Sequence, residues 1–146
     1  MKNYNEDNIF SKILAHEIPA VRVYEDSDNL VIMDAYPEEP GHMLAIPKAK
    51  SRNIYDISNE ELQKLFILVK KISEIQKKAF GSVGVKIIHN CESEAGQIVF
   101  HTHIHIIPYF SEKNEMPLEL DTTEKQAEAM RPVSYTHLTL PTNREV

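Results

Sequence analysis

Residues 97–108 read Gln97-Ile98-Val99-Phe100-His101-Thr102-His103-Ile104-His105-Ile106-Ile107-Pro108, and the reading of this run decides the fold. Three of the seven histidines stand at alternate positions, interleaved with Thr102 and Ile104. On a β-strand alternate side chains share a face. A strand over 99–107 therefore groups His101, His103 and His105, with their Cα atoms about 7 Å apart from one to the next. Ile104 and Ile106 then turn the other way, into a core. A helix would scatter the same rings over about 200° and make no common site. The β-branched content favours the strand.

Co-facial imidazoles allow three readings. A neutral imidazole can attack phosphorus while its neighbours donate hydrogen bonds to phosphate oxygens. Histidine suits this because its ordinary pKa of about 6.5 leaves it mostly neutral at pH 7 yet easily protonated beside a phosphate. Three imidazoles can also bind zinc, given nitrogens within roughly 2.1 Å of one point. The plainest reading is a polar sheet face that happens to carry histidines.

The remaining chain sets bounds on these readings. At 146 residues it is one domain's worth, and 42% hydrophobic with 26% charged residues is a globular composition. A net charge of −6 argues against a broad nucleic-acid footprint. It leaves room for a small anion held by backbone N–H groups and imidazoles. One cysteine, Cys91, precludes an internal disulfide and fits a reducing compartment. The polar, acidic start does not read as a signal peptide, and no apolar run approaches the ~20 residues that span a bilayer. A cytoplasmic protein with no membrane partner is expected.

Apolar residues 9, 10, 13 and 14 predict a short helix over 9–16, capped by Asn8 and closed by Pro19. Residues 21–25 and 30–34 read as a hairpin around Asp26-Ser27-Asp28-Asn29, and 42–48 as a third strand. Ser58-Asn59-Glu60-Glu61 is a capping box opening a long amphipathic helix, 59–80, which Gly81 ends. Residues 83–89 predict a fourth strand, 90–96 a loop, and 99–107 the histidine strand. Asp121 or Thr122 could cap a helix through Met130 that Pro132 stops. Residues 132–146 show no trusted period and resemble adapter-derived translated sequence. They are expected to be a non-native or disordered tail, and His137 is given no weight, nor are His16 and His89.

His101-Thr102-His103-Ile104-His105 resembles the signature of the histidine triad (HIT) family of nucleotide hydrolases and transferases. The resemblance extends in order through Ile9-Phe10-Ser11-Lys12-Ile13, Glu17-Ile18-Pro19-Ala20, Tyr24-Glu25-Asp26 and Asp34. It continues through Pro40-Gly41-His42-Met43-Leu44-Ala45-Ile46-Pro47-Lys48 and Glu94-Ala95-Gly96-Gln97, and covers about residues 8–110. It implies an α+β domain over 1–110 and an extension over 111–131. The domain would have an antiparallel sheet of about five strands, the long helix on one face and a nucleotide cleft on the other. It implies His103 as a nucleophile at the α-phosphate of a purine nucleotide, forming a nucleotidyl-histidine that water hydrolyses to AMP or GMP. His101 and His105 would bond the phosphate or orient neighbours, and His42 would support the triad. Gln97 would contact the leaving-group side and Gly96 would bring backbone to the phosphate. Asp34 would accept from the ribose hydroxyls, Asn90 would contact sugar or phosphate, and Ile9, Phe10, Ile32 and Ala35 would form the base pocket. A homodimer using the long helix and an edge strand is implied, with no cofactor and no magnesium requirement.

The favoured substrate is a nucleoside phosphoramidate or similar conjugate. The rivals are dinucleoside polyphosphate hydrolysis, a non-catalytic nucleotide-binding adaptor and a metal-binding module. The chain departs from the family's pattern in places. Many bacterial members bind structural zinc through a Cys-x-x-Cys pair and two histidines. Asn8 and Ser11 stand at the cysteine positions and Lys50 where another ligand often falls, so no metal is expected. Ile98 replaces a usual Ser or Thr, Glu92 lies where a glycine is usual, and the triad strand ends Pro108-Tyr109.

Overall fold

The computed structural model describes residues 3–138, with side chains through residue 131. Asn8 caps a single-layer start: its side chain accepts the Ser11 N–H, opening helix α1, Ile9–Leu14. Strands β1 (Arg22–Glu25) and β2 (Asn29–Met33) form the expected hairpin. Asp26 Oδ1 holds the turn by accepting the N–H groups of Asp28 and Asn29, each at 2.8 Å. Strand β3 (Met43–Pro47) follows, then helix α2 (Asn59–Phe80), strand β4 (Gly84–Ile88), strand β5 (Ile104–Tyr109) and helix α3 (Thr123–Leu138). The five strands pair antiparallel in the order β1-β2-β3-β5-β4. The fold class is therefore α+β, as the sequence implied.

Helix α2 forms where its signals say. Ser58 Oγ accepts the Glu61 N–H at 3.1 Å, and Gly81 closes the helix in the left-handed region at φ +78°. Leu65, Leu68, Val69, Ile72, Ile75 and Phe80 are buried against one face of the sheet, on Val31, Met33, Met43, Ala45, Ile104 and Ile106. Gln76 is buried among them, and its Nε2 donates to the carbonyls of Gly41 and Ile106 at 3.1 and 3.2 Å. The opposite face carries Leu30, Ile32, Leu44 and Ile46, packed against Phe10 and Ile13 of α1. Both central strands, β2 and β3, are thus buried on two sides.

Two expectations are corrected. The histidine strand begins at Ile104, not at residue 99. Upstream, ladder bonds give way to bonds with a neighbouring loop: the Thr102 N–H donates to the Ser51 carbonyl at 2.9 Å, and the two side-chain hydroxyls meet at 2.6 Å. Only His105 of the three histidines lies on regular strand. The second correction is at Pro132, which does not end α3. Proline has no N–H to give the carbonyl four residues back, and that residue, Glu128, is exposed, so the helix continues past it. Ala127 and Met130 enter the core under α2, so the extension is an integral part of the fold. Residues 139–146 of the expected tail, and the side chain of His137, lie outside the described residues. Among the described residues no helix is long and apolar enough to cross a membrane.

Candidate active site

The site begins at the β2–β3 connection. Gly41 has φ +90°, and a Cβ there would lie 2.9 Å from Pro108 Cγ and 3.0 Å from Phe80, so only glycine fits. That close turn feeds His42 into the sheet. The Glu38 backbone N–H donates to His42 Nδ1 at 3.0 Å, which places the proton of neutral His42 on Nε2. Nε2–H in turn donates to His105 Nδ1 at 3.0 Å, with Asp34 Oδ2 3.3 Å away. His105 is left with its proton on Nε2. A main-chain N–H therefore sets two ring tautomers in series.

His103 receives the opposite polarity. Its Nδ1–H donates to the carbonyl of His101 at 2.6 Å, so Nε2 carries a free lone pair. The ring lies edge-on to Phe10, centroids 4.8 Å apart, and 5.2 Å from the ring of His105. Burial holds its pKa down at about 4, against an ordinary 6.5, with the carbonyl bond opposing the shift. Burial likewise lowers His105 and His42, while the Asp34 charge pulls both back up. With all three held below the ordinary 6.5, the rings are neutral at pH 7, as nucleophilic attack by an imidazole requires.

His101, though two residues away, has a different place. It is 1% exposed, its Nε2–H donates to the Pro47 carbonyl at 2.8 Å, and its Nδ1 accepts from the Tyr4 hydroxyl at 2.6 Å. Both nitrogens are taken, so the ring has nothing to offer a phosphate. The same residue's carbonyl accepts the His103 Nδ1–H. The expected direct contact from Gln97 is also replaced: its amide is buried, accepting from Asn53 Nδ2 and the Glu92 N–H and donating to the carbonyls of Arg52 and Val99.

The other expected residues do come together. A cleft of about 960 Å³ is lined by Ile9, Phe10, Ile32, Asp34, Ala35, Asn90, Gly96, His103 and His105. His42 stands behind His105 rather than in the lining. Asp34 is not a simple free acceptor, since its Oδ1 takes the Tyr36 N–H at 2.8 Å while Oδ2 faces His42. The Gly96 N–H is bonded to the Ser93 carbonyl at 2.9 Å, so its approach to a ligand is through its bare Cα and left-handed backbone. Thr123 and Glu124 at the start of α3 also line the cleft.

Several participants carried no usable sequence signal. Tyr4 is 97 positions from His101, and Ser51 meets Thr102 across the loop. His89 braces the His103 backbone: its Nε2 accepts the Ile54 N–H at 3.0 Å, so Nδ1–H donates to the His103 carbonyl at 3.1 Å. An alternating pattern reveals which residues share a strand face. It carries no information on partners from distant loops.

Metal binding by the three alternate histidines is incompatible with these bonds, because His101 has both nitrogens engaged and His103 has one. Among the described residues, the donors close enough to share an ion are Asp34, His42 and His105, within 4.8 Å of one another. The structural zinc weighed from the resemblance does not fit these residues either. The Tyr4 hydroxyl sits among Ser11 Oγ (2.6 Å), Asn8 Nδ2 (3.1 Å) and His101 Nδ1, and Lys50 is paired with Glu6 at 2.7 Å. No thiolate is present there, and hydrogen bonds from the phenol make the link between α1 and His101.

The site thus sits on a five-stranded antiparallel α+β domain whose cleft is lined by two tautomer-fixed imidazoles, His103 and His105. The HIT domain model matches residues 15–112, and the chain belongs to the HIT family. A HIT-like protein from Bartonella henselae described as involved in cell-cycle regulation superposes with a TM-score of 0.80 at 40% identity, over 89% of this chain and 98% of that one. A zinc-bound histidine triad family protein from Mycobacterium smegmatis gives 0.80 at 26% identity, over 91% and 96%. Adenylylsulfatase HINT3 of Arabidopsis thaliana is 38% identical over 102 residues, 70% of this chain and 52% of that protein.

Proposed function

We propose that this HIT protein hydrolyses a purine nucleoside 5′-phosphoramidate, or a similar nucleotide conjugate, through a nucleotidyl intermediate on His103. The observation that carries the reading is the free Nε2 of His103, held by the Nδ1–H bond to the His101 carbonyl and facing the cleft. Phe10, Ile9, Ile32 and Ala35 supply apolar surface for a base. Asp34 offers an acceptor to ribose hydroxyls, with Asn90 and Gly96 across the cleft.

In the first step the His103 Nε2–phosphorus bond forms and the phosphorus–nitrogen bond breaks. The anionic substrate draws a proton onto His105 Nδ1 as the His42 Nε2–H turns to Asp34 Oδ2, 3.3 Å away, whose charge balances the protonated ring. His105 hands that proton to the departing nitrogen, which leaves as an amine. In the second step water attacks phosphorus, gives a proton to His105, and displaces neutral His103 with release of AMP or GMP.

An amine leaving group suits the electrostatics. The described cleft lining contains Asp34 and Glu124 but no lysine or arginine to meet a sulfate or polyphosphate. Sulfate release from an adenylyl sulfate, the activity named for the Arabidopsis relative, is the second reading. The test compares AMP release from adenosine 5′-phosphoramidate, adenylyl sulfate and diadenosine polyphosphate, with intact mass measured after a rapid acid-free quench. An AMP adduct that His103→Ala abolishes supports the reading. Tight AMP binding with turnover unaltered by His103→Ala would instead mark an adaptor.

A second copy of the chain is the proposed partner. β4 is an exposed edge strand bearing Val85 and Ile87, with Val83 just before it, and α2 exposes Phe66 and Ile67. Apolar edges of this kind invite pairing. Sedimentation should give a dimer, and Val85→Lys with Ile87→Lys a monomer.

A further inference from the structure

Behind the cleft wall lies a second polar cluster that the proposed chemistry does not use. Glu92 has φ +74° and ψ 161°, a backbone region that glycine adopts freely and a side chain resists. Something must hold it there. Its Oε2 accepts from Arg52 Nε at 2.8 Å and from Asn53 Nδ2 at 2.6 Å, and its Oε1 accepts from Arg52 Nη2 at 3.0 Å. Its own N–H donates to Gln97 Oε1 at 2.8 Å, and its carbonyl accepts from the N–H groups of Ala95 and Gln97.

The other half of the cluster is equally fixed. The Arg52 guanidinium stacks 4.1 Å over the centroid of Phe100, and the Arg52 carbonyl accepts from Gln97 Nε2. Asn53 is fully buried and also bonds Gln97 Oε1 at 3.0 Å. One residue earlier, Ser51 anchors Thr102, which sits between His101 and His103. The loop tied down by Glu92 supplies Asn90, Gly96, Ile98 and Val99 to the cleft.

We propose that Glu92 is a positioning residue: its carboxylate, clamped by Arg52 and Asn53, holds the 90–97 loop against the nucleotide cleft in a left-handed conformation otherwise open only to glycine. A bidentate guanidinium–carboxylate pair is among the strongest and most geometrically specific polar contacts, which is why it can impose an unfavourable backbone. The clamp lies outside the reacting groups and acts through the wall it supports. Its functional consequence rests on the nucleotide reading above. The loop's placement does not.

The experiment therefore has an arm that needs no substrate. Hydrogen exchange of amides 90–97 is compared in the parent, Glu92→Ala, Glu92→Gly and Arg52→Ala, each checked for an unchanged melting profile of the core amides in α2. Glu92→Ala loses the clamp and keeps the strain, so loop exchange should accelerate about tenfold or more. Glu92→Gly loses the clamp and the strain together, and its loop should stay closer to the parent than that of Glu92→Ala. In the second arm, KM for adenosine 5′-phosphoramidate should rise several-fold in Glu92→Ala with a smaller change in kcat, and again less in Glu92→Gly. Arg52→Ala should match Glu92→Ala, and the double variant should add nothing. Unaltered loop exchange in Glu92→Ala, or a glycine variant looser than the alanine one, overturns the clamp. The expected exchange pattern in a parent that turns over no nucleotide conjugate would uphold the clamp and sink the catalytic reading instead.

Discussion

The two faces of the sheet are built on different principles. Under α2 the contacts, Gln76 apart, are apolar, regular in sequence and tolerant of small shifts, and their contribution is stability. On the cleft face a small apolar patch from α1 adjoins a chain of single hydrogen bonds: Glu38 to His42, His42 to His105, Tyr4 to His101, and His103 back to the His101 carbonyl. Each of those bonds has one donor and one acceptor and fixes one ring. Dispersion among many atoms averages out errors, whereas a tautomer is either right or wrong. The contrast separates what each face can lose without consequence for the other.

The sharpest break comes from His103, the proposed nucleophile. His103→Ala should lower AMP release from adenosine 5′-phosphoramidate by about 10³-fold or more while the denaturant midpoint changes little. A retained rate would show that the cleft face does no covalent chemistry. The matching substitution on the other face is Ile72→Ala, a fully buried residue. It should cost about 2–5 kcal/mol in urea unfolding and leave kcat per folded molecule nearly unchanged. If kcat falls with stability, the faces are coupled.

Acidification should reach the cleft face through His103. The folded pKa of His103, about 4, lies below its unfolded value, so the native state binds fewer protons between the two. Stability from this group is fully present above pH ~6.5 and is lost as pH falls toward 4, a total of about 3 kcal/mol. Over the same range kcat/KM should keep its neutral-His103 plateau down to an acid limb well below 6.5. A limb at the ordinary histidine value would mean an open, solvated ring. The smallest effect is Tyr4→Phe, which deletes one bond to His101. About 1 kcal/mol of stability and a several-fold loss in kcat are expected, with KM nearly constant. A change confined to stability would make Tyr4 a tether of the N-terminus only.

Legibility in the sequence follows the same division. Leu65, Val69, Ile72 and Ile75 announce α2 because burial on one helical stripe repeats every three or four residues. Ile104 and Ile106 point into the core as their alternation requires. The same alternation misplaces His101, because it extends a strand through a segment whose bonds go to Pro47 and Ser51 instead. Gln76 carries no signal of its own for a related reason, since a buried amide makes sense only beside the Gly41 and Ile106 carbonyls that face it. Gln97 turned out to brace the loop with an amide fully engaged behind the wall.

Local order alone determined α1, α2, the hairpin and the inward turn of Ile104 and Ile106, because apolar periodicity is a property of neighbouring residues, while the five-strand sheet and the cluster His42, His103, His105 and Asp34 were legible only through the resemblance to a family. Tertiary structure alone decided which imidazole is free to react, which is locked, and that α3 carries Thr123 and Glu124 to the cleft. Those outcomes depend on where a particular proton or carbonyl lies, often dozens of residues away, and no short-range pattern encodes that.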